Sequence, residues 1–264
     1  MESRKRPLPP NVANSFMGYM DHISSIPPVL RPGLHVSDVI GRRGWKCDRY
    51  VQLVMMRSGT NTVEGLKFRM KAMTYGQALH QWVYNHIREA LAWAYESRGY
   101  TIESIIEKEL VQEESTGVVG TPDLVLKYQH VDFPEETFTA VYDIKSMSQS
   151  KWKRNQGKTG FRVEKEYIRQ LGMYAEMLHA DEAAFVYVVI NDEPGKNRPD
   201  NHKLFQDQQK ITHRVLPTVT ERIYRLESIQ AEGEYAAKTT TPSLCTDCPM
   251  KISCSRADRF MNNQ

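Results

Sequence analysis

Between Gly120 and Ser146 the chain carries two carboxylates and an ammonium in an order that chemistry can use: Asp123, then Asp143 and Lys145 as a D-x-K triplet. The runs GTPDLVL and FTAVYDIKS alternate polar and apolar residues and are split by a polar stretch containing proline, which predicts paired strands joined by a turn. Successive side chains of a strand point to opposite faces, so Asp143 and Lys145 share one face while Tyr142 and Ile144 point into the core. The same alternation separates Asp123 from Leu124 and Leu126. Two carboxylates and a lysine at the ends of neighbouring strands make a divalent-metal site with a cation beside it, an arrangement for cleaving a phosphodiester. A surface hairpin can carry the same charges as ordinary solvated groups, so the surroundings must decide.

Several elements must position these residues. TIESIIEKEL reads as a first strand ahead of the two that carry the acids. Upstream, apolar residues at 79, 82, 83, 87, 90, 91 and 94 fit an amphipathic helix from Thr74 to Glu96. In that helix Gly76 lies one turn before His80 on the same face and leaves the imidazole approachable. Downstream, VEKEYIRQLGMYAEMLHA predicts a helix with Gln170 and Tyr174 at i and i+4 on one face and Leu171 and Leu178 on another. EAAFVYVVI then reads as a buried strand, with further strand and helix signals through Ile229.

The segment from Met147 to Gln170 has a different character. Lys151, Lys153, Arg154, Lys158, Arg162, Lys165 and Arg169 stand against Glu164 and Glu166, with Trp152 and Phe161 interleaved. Basic side chains neutralise phosphates and aromatic faces stack on unpaired bases, so this segment reads as a flexible loop suited to single-stranded nucleic acid. A solvated basic loop is the rival reading.

At 264 residues and 40% hydrophobic, the chain can bury a sizeable core as one large domain or as a domain with an appendage. A net charge of +3 is too small to announce a nucleic-acid partner in bulk, which leaves that argument to local clusters. The longest apolar run, AAFVYVVI, has the length of a strand and not of a membrane span, so no membrane association is expected. MESRKRPLPP has no apolar segment behind its basic residues and does not read as a secretory signal, which makes a cytoplasmic location the expectation. Residues 1–40 read as an irregular arm and 41–264 as the domain proper, with its core at about 74–230.

Four cysteines in a cytosolic chain are metal ligands more often than disulfides. Cys245, Cys248 and Cys254 lie close in sequence near the C-terminus, and Cys47 stands far upstream. Together they supply four thiolates, enough for tetrahedral zinc or a 4Fe-4S cluster.

Taken in order, Cys47, the G-x-x-x-H helix, Asp123 after a G-x-P step, D-x-K, Q-x-x-x-Y and the terminal cysteine triplet resemble the PD-(D/E)xK nuclease superfamily. Within it they resemble the RecB-like branch and the CRISPR-associated iron–sulfur exonucleases. The resemblance runs from about Gly41 to Arg256 and implies an α/β fold: a restriction-endonuclease-like αβββαβ core with a mixed central sheet. It also implies a cysteine-ligated clasp between residues 41–60 and 240–258.

By that resemblance His80, Asp123, Asp143 and the backbone carbonyl of Ile144 hold Mg²⁺ or Mn²⁺. Lys145 orients the attacking water or stabilises transition-state charge, and Gln170 and Tyr174 position the strand or the lysine. Cys47, Cys245, Cys248 and Cys254 hold a structural 4Fe-4S cluster, with zinc as the alternative. From the composition of the basic segment and not from the resemblance, Lys151, Trp152, Lys153, Arg154, Lys158 and Arg162 are the expected DNA-binding residues. The implied activity is a metal-dependent exonuclease on single-stranded DNA ends, with recombination, repair or CRISPR-adaptation proteins as partners. The alternative is a non-catalytic DNA-binding or partner-docking module of the same fold. Asp143 stands where the superfamily's name allows Glu, and the first 40 residues and the loop from Asn191 to Lys203 are not explained by the resemblance.

Overall fold

The computed structural model describes residues 33–41, 44–56, 81, 84–86, 89, 92–93, 95–108, 110–157, 160–190, 203–209, 215–239, 245, 248 and 250–261. Gly76, His80, Lys158 and residues 191–202 therefore lie outside the described residues, as does the arm up to residue 32.

A five-stranded sheet forms the centre. In chain order its neighbours begin with β1 (Leu34–His35), α1 (Val36–Val39) and α2 (Asp48–Met56). Then follow β2 (Tyr100–Glu107), β3 (Val111–Gln112), β4 (Val118–Gly120), β5 (Leu124–His130) and β6 (Phe133–Ser148). Next are α3 (Gln149–Asn155), α4 (Lys165–Met177), β7 (Glu182–Ile190), β8 (Lys203–Gln209), α5 (Val215–Ala231) and α6 (Lys251–Met261). The main sheet runs β8-β7-β6-β5-β2, and β1-β4-β3 form a small second sheet.

β6 and β7 are parallel, and the other pairs of the main sheet are antiparallel. A parallel pair needs a crossover, which α3 and α4 supply, whereas β5 and β6 close as a hairpin at Val131–Asp132. The sheet is mixed, as expected. The expected first motif strand is interrupted: Gly120 ends β4, Thr121 to Asp123 leave the ladder, and β5 starts at Leu124. Pro122 has no amide proton to donate to a ladder and sits at that break.

Period-2 alternation sorts the strands onto two buried faces. Ala140, Tyr142 and Ile144 join Leu124, Leu126 and Val186 in one cluster, which also takes in Tyr84. Val141 and Met147 join Phe185, Tyr187 and the α4 residues Leu171, Met173 and Tyr174 in the other. Asp143 lies on this second face and is itself buried, so both faces of β6 are core.

Residues 34–40, expected within the irregular arm, belong to the domain. Leu34, Val36, Val39 and Ile40 are buried in the main core, and Leu34–His35 pair with Val118–Val119. The apolar residues of LHVSDVI make this short stretch part of the domain. Among the described residues no helix is long and apolar enough to cross a membrane.

The two chain ends meet through polar contacts. Buried Arg49 donates from Nε to the Ala236 carbonyl and from Nη1 to Asp258 Oδ1 at 3.2 Å. Buried Gln52 donates to the Glu234 carbonyl at 2.9 Å and accepts from the Ala236 amide at 2.7 Å. Arg222 of α5 donates to Asp48 at 2.6 Å, to the Val39 carbonyl at 3.3 Å and to the Lys46 carbonyl, gripping the residues on either side of Cys47. Each of these buried polar groups finds a partner, as burial requires.

Candidate active site

The site forms where β6 outruns β5. Tyr142 is opposite Leu124, the first residue of β5, so the edge of β6 beyond it has no strand on that side while its other edge stays paired to β7. Backbone donors left on such an edge need other acceptors. The Ile144 amide finds one in Asp123, donating to Oδ2 at 2.8 Å. A residue of an extended strand turns its amide and carbonyl to the same edge, so the Ile144 carbonyl also faces the Asp123 side.

Asp123 has a second support that the sequence reading missed. Tyr84 donates its hydroxyl to Asp123 Oδ1 at 3.3 Å. Burial first, then the Asp123 charge, pushes the Tyr84 phenol well above the usual tyrosine range, so it stays a donor. Its one signal in the sequence was position: Tyr84 falls four residues, one helical turn, after His80. Gln81, Tyr84 to His86, Glu89, Ala92–Trp93 and Tyr95–Glu96 are helical, in line with the predicted helix.

Asp143 and Lys145 share a face as the alternation requires. Lys145 Nζ lies 2.6 Å from the buried Asp143 Oδ2 as an ion pair. Burial pushes the Asp143 carboxyl up to about 6; Lys145 pulls it down, and Asp123 adds to the rise. Burial alone would lower the Lys145 ammonium, but Asp143 and then Asp123 outweigh it and hold it above the usual lysine range. The ammonium also lies 4.9 Å above the Tyr167 ring, a contact not foreseen from sequence.

Helix α4 covers this face. Gln170 donates to the Tyr174 hydroxyl at 3.0 Å, so the Q-x-x-x-Y pair is a bonded pair on one side of the helix. Tyr174 is held above the usual tyrosine range by burial first, and it feels the charges of Asp143, Lys145 and Asp123. Its ring lies against the backbone of Gly120, where an added Cβ would come within 2.5 Å of Tyr174 Cε1 and 3.1 Å of Val36 Cγ2. Only a residue without a side chain lets α4 approach the strand that leads into Asp123.

The basic segment differs from its expectation. Residues 149–155 are helical and not a loop, with Ser148 as N-cap accepting from the Lys151 amide at 3.2 Å. Trp152 is buried and packs edge-on to Tyr187, ring centroids 6.5 Å apart, so its face is core and cannot stack a base. Lys151 pairs with Glu164 at 2.6 Å. Lys153, Arg154 and Arg162 are exposed.

All four cysteines are free thiols of intermediate exposure. Burial first raises the Cys248 thiol, and Cys245 and Cys47 are close enough to raise it further. Cys254, raised mainly by burial, also feels Cys47. Among the described residues no group of three or more His, Cys, Asp or Glu side chains is gathered as a metal site, so the cysteine clasp does not stand as a formed centre; His80 lies outside the described residues. The acidic pair nonetheless fits a hard divalent cation. It brings two carboxylates to one strand edge, and burial makes the Asp143 charge costly until a cation offsets it.

The model of the PD-(D/E)XK nuclease superfamily matches residues 42–255. No curated protein is a significant match. Among solved structures, SSO0001 is 13% identical with a TM-score of 0.44, covering 92% of this chain and 96% of that one. An alkaline exonuclease, LHK-Exo, from Laribacter hongkongensis is 14% identical with a TM-score of 0.40, covering 76% and 93%. LHK-Exo in complex with dAMP is 14% identical with a TM-score of 0.45, covering 76% and 89%.

Proposed function

The chain belongs to the PD-(D/E)XK nuclease superfamily, and from that premise we propose that it is a metal-dependent exonuclease of the RecB-like branch, acting on single-stranded DNA ends. The observation that carries the catalytic part is the meeting of Asp123, Asp143 and Lys145 at the open edge of β6, with both carboxylates held by strand geometry.

Asp123, Asp143 and the Ile144 carbonyl would hold Mg²⁺ or Mn²⁺, with His80 as a further ligand. When bound, the ion lowers the pKa of water and offsets charge on the phosphate. Lys145, fully protonated and anchored on Asp143 and Tyr167, stabilises the negative charge that develops on the phosphoryl oxygens. Gln170 and Tyr174 set the position of α4 against that face and so fix where Lys145 can reach. Tyr84 and the Ile144 amide orient the two oxygens of Asp123.

Lys153, Arg154 and Arg162 are exposed cations of the basic segment, and they supply the contacts to the DNA backbone; Lys158 belongs with them by sequence. The preference for single-stranded ends rests on the resemblance of the motif order to iron–sulfur exonucleases. The same resemblance, with the mutual influence of Cys47, Cys245, Cys248 and Cys254, supports a structural 4Fe-4S cluster, or zinc in its place.

The test is digestion of end-labelled single- and double-stranded DNA, circular single-stranded DNA and RNA by anaerobically purified protein with Mg²⁺ or Mn²⁺. The reading expects mononucleotides or short products from linear single strands and none from circles. Cleaved circles would make it an endonuclease. No cleavage of any substrate would remove the catalytic reading.

A further inference from the structure

We infer that Lys108 is a second phosphate-binding cation of this site, contacting a backbone phosphate next to the one that is cut. The inference rests on the nuclease reading above and extends it to a residue that no motif includes.

Lys108 follows the last residue of β2, and its backbone is left-handed at φ 52°. Side-chain-bearing residues adopt this conformation at a cost, and it persists where surrounding contacts over-determine it. Among the described residues one other non-glycine residue has a positive φ: His179, which directly follows the last turn of α4, where a left-handed residue commonly ends a helix. Lys108 ends no helix. Its conformation instead serves the site: the Lys108 amide donates to the Asp123 carbonyl at 3.3 Å, and its ammonium swings over the Tyr84 ring at 4.8 Å from the centroid.

That ring is the one whose hydroxyl holds Asp123 Oδ1, so a single turn of backbone links an exposed ammonium to the first carboxylate twice, through the main chain and through Tyr84. The two lysines also differ in their partners. Lys145 is tied to Asp143 and lies on the α4 face of the sheet, whereas among the described residues no carboxylate pairs with Lys108, which lies on the Tyr84 face. A strand passing across the open edge of β6 thus meets a cation on each side of the acids. An ammonium resting on an aromatic face keeps its remaining donors turned outward and is positioned without being neutralised. A polyanion is the ligand such a group serves, because each phosphate contact releases counterions.

Lys108→Gly, Lys108→Glu and Lys108→Arg test the role in the full chain, on a single-stranded DNA oligonucleotide with Mn²⁺ at several salt concentrations. Glycine takes a positive φ without strain, so the melting temperature of Lys108→Gly should hold or rise while KM increases roughly five- to tenfold. Its salt dependence should flatten by about 0.7 in the log–log slope, one contact's worth for a single strand. Lys108→Glu should raise KM further, and Lys108→Arg should restore it, with kcat moving less than KM throughout. Wild-type KM and slope in both the Gly and Glu variants would overturn the inference. So would an activity loss that comes with a lower melting temperature and weaker Mn²⁺ binding, since the residue would then act through structure. A wild type that cleaves nothing sinks the nuclease reading itself, whereas an active wild type with unaffected variants removes Lys108 alone.

Discussion

The Ile144 amide donates to Asp123 Oδ2 at 2.8 Å, which bolts the first carboxylate to the strand that carries the second. The bond exists because β5 stops at Leu124, opposite Tyr142, and leaves the next inward amide of β6 without a strand partner. The spacing of the acids is therefore set by backbone, and side-chain changes around them should alter charge and support more than geometry.

Lys145→Ala should cut cleavage by about 10²–10³-fold at saturating metal, in the range lost with one transition-state donor, while DNA binding persists. Because Asp143 loses its ion-pair partner, its carboxyl should rise further and Mn²⁺ binding should weaken at neutral pH. Single-turnover rates and gel-shift affinities measured together check this. Near-normal rates would remove Lys145 from the chemistry.

The pH dependence follows from Asp143, whose carboxyl stands at about 6 in the folded protein against an ordinary value of 3.8. A carboxyl raised by folding stabilises the fold while protonated, so the metal-free protein should lose stability as pH rises from about 4 through about 6. Lys145 stays charged throughout that window and adds no slope there. A cation needs the carboxylate, so Mn²⁺ affinity should fall roughly tenfold per pH unit below about 6. Calorimetric titrations from pH 5 to 8, beside melting curves of metal-free protein, measure both. A flat affinity across that range would mean Asp143 is not a ligand.

Tyr84→Phe removes the donor to Asp123 Oδ1 and leaves the ring in place beneath Lys108. Groups that orient a metal ligand typically contribute 10–100-fold to affinity or activity, and this one, at 3.3 Å, should fall near the lower end at about tenfold. Mn²⁺ titration of the variant is the check. An unchanged affinity would make Tyr84 a packing residue only.

Gly120→Ala places a methyl against Tyr174 and Val36 and should cost about 1–3 kcal/mol, the range of overpacked cores, with a loss of activity as α4 is displaced. Combining it with Tyr174→Leu should cost less than the sum of the two changes, because the clash is shared. Urea denaturation of the double-mutant cycle gives the coupling. Strict additivity would show that the two residues do not touch.

The cysteines and the polar clasp should separate on mutation. Anaerobically purified protein should hold about four irons per chain, and Cys47→Ala or Cys248→Ala should lose them and become less stable. Gln52→Ala keeps all four thiols but strips the Glu234 carbonyl and the Ala236 amide of their partner, at about 1–3 kcal/mol for each group left unpaired. Iron and zinc analysis beside urea midpoints distinguishes the two. Stoichiometric zinc without iron would favour a zinc clasp, and full metal in Cys47→Ala would return that residue to core packing.

What the sequence by itself determined is what repeats within one element. A strand has period two, so D-x-K had to set Asp143 and Lys145 on one face, and they meet at 2.6 Å. A helix brings i and i+4 together, so Q-x-x-x-Y had to pair, and Gln170 bonds Tyr174. Alternation marked the strands, but their order came from the resemblance of the motifs to a known superfamily, and the mixed sheet agrees.

The tertiary structure alone decided which faces were covered and which backbone groups were left open. Trp152 looked like a stacking residue beside its basic neighbours, but helical winding of residues 149–155 turned it into the core against Tyr187. Leu34 to Ile40 looked like an arm until pairing with Val118–Val119 buried them. Tyr84 on Asp123, Tyr174 on Gly120 and Gln52 on Ala236 join residues far apart in the chain. Such contacts leave no local period to read. Burial and hydrogen-bond satisfaction select them when the sheet closes, and those requirements act on the whole packed chain and not on any one stretch of it.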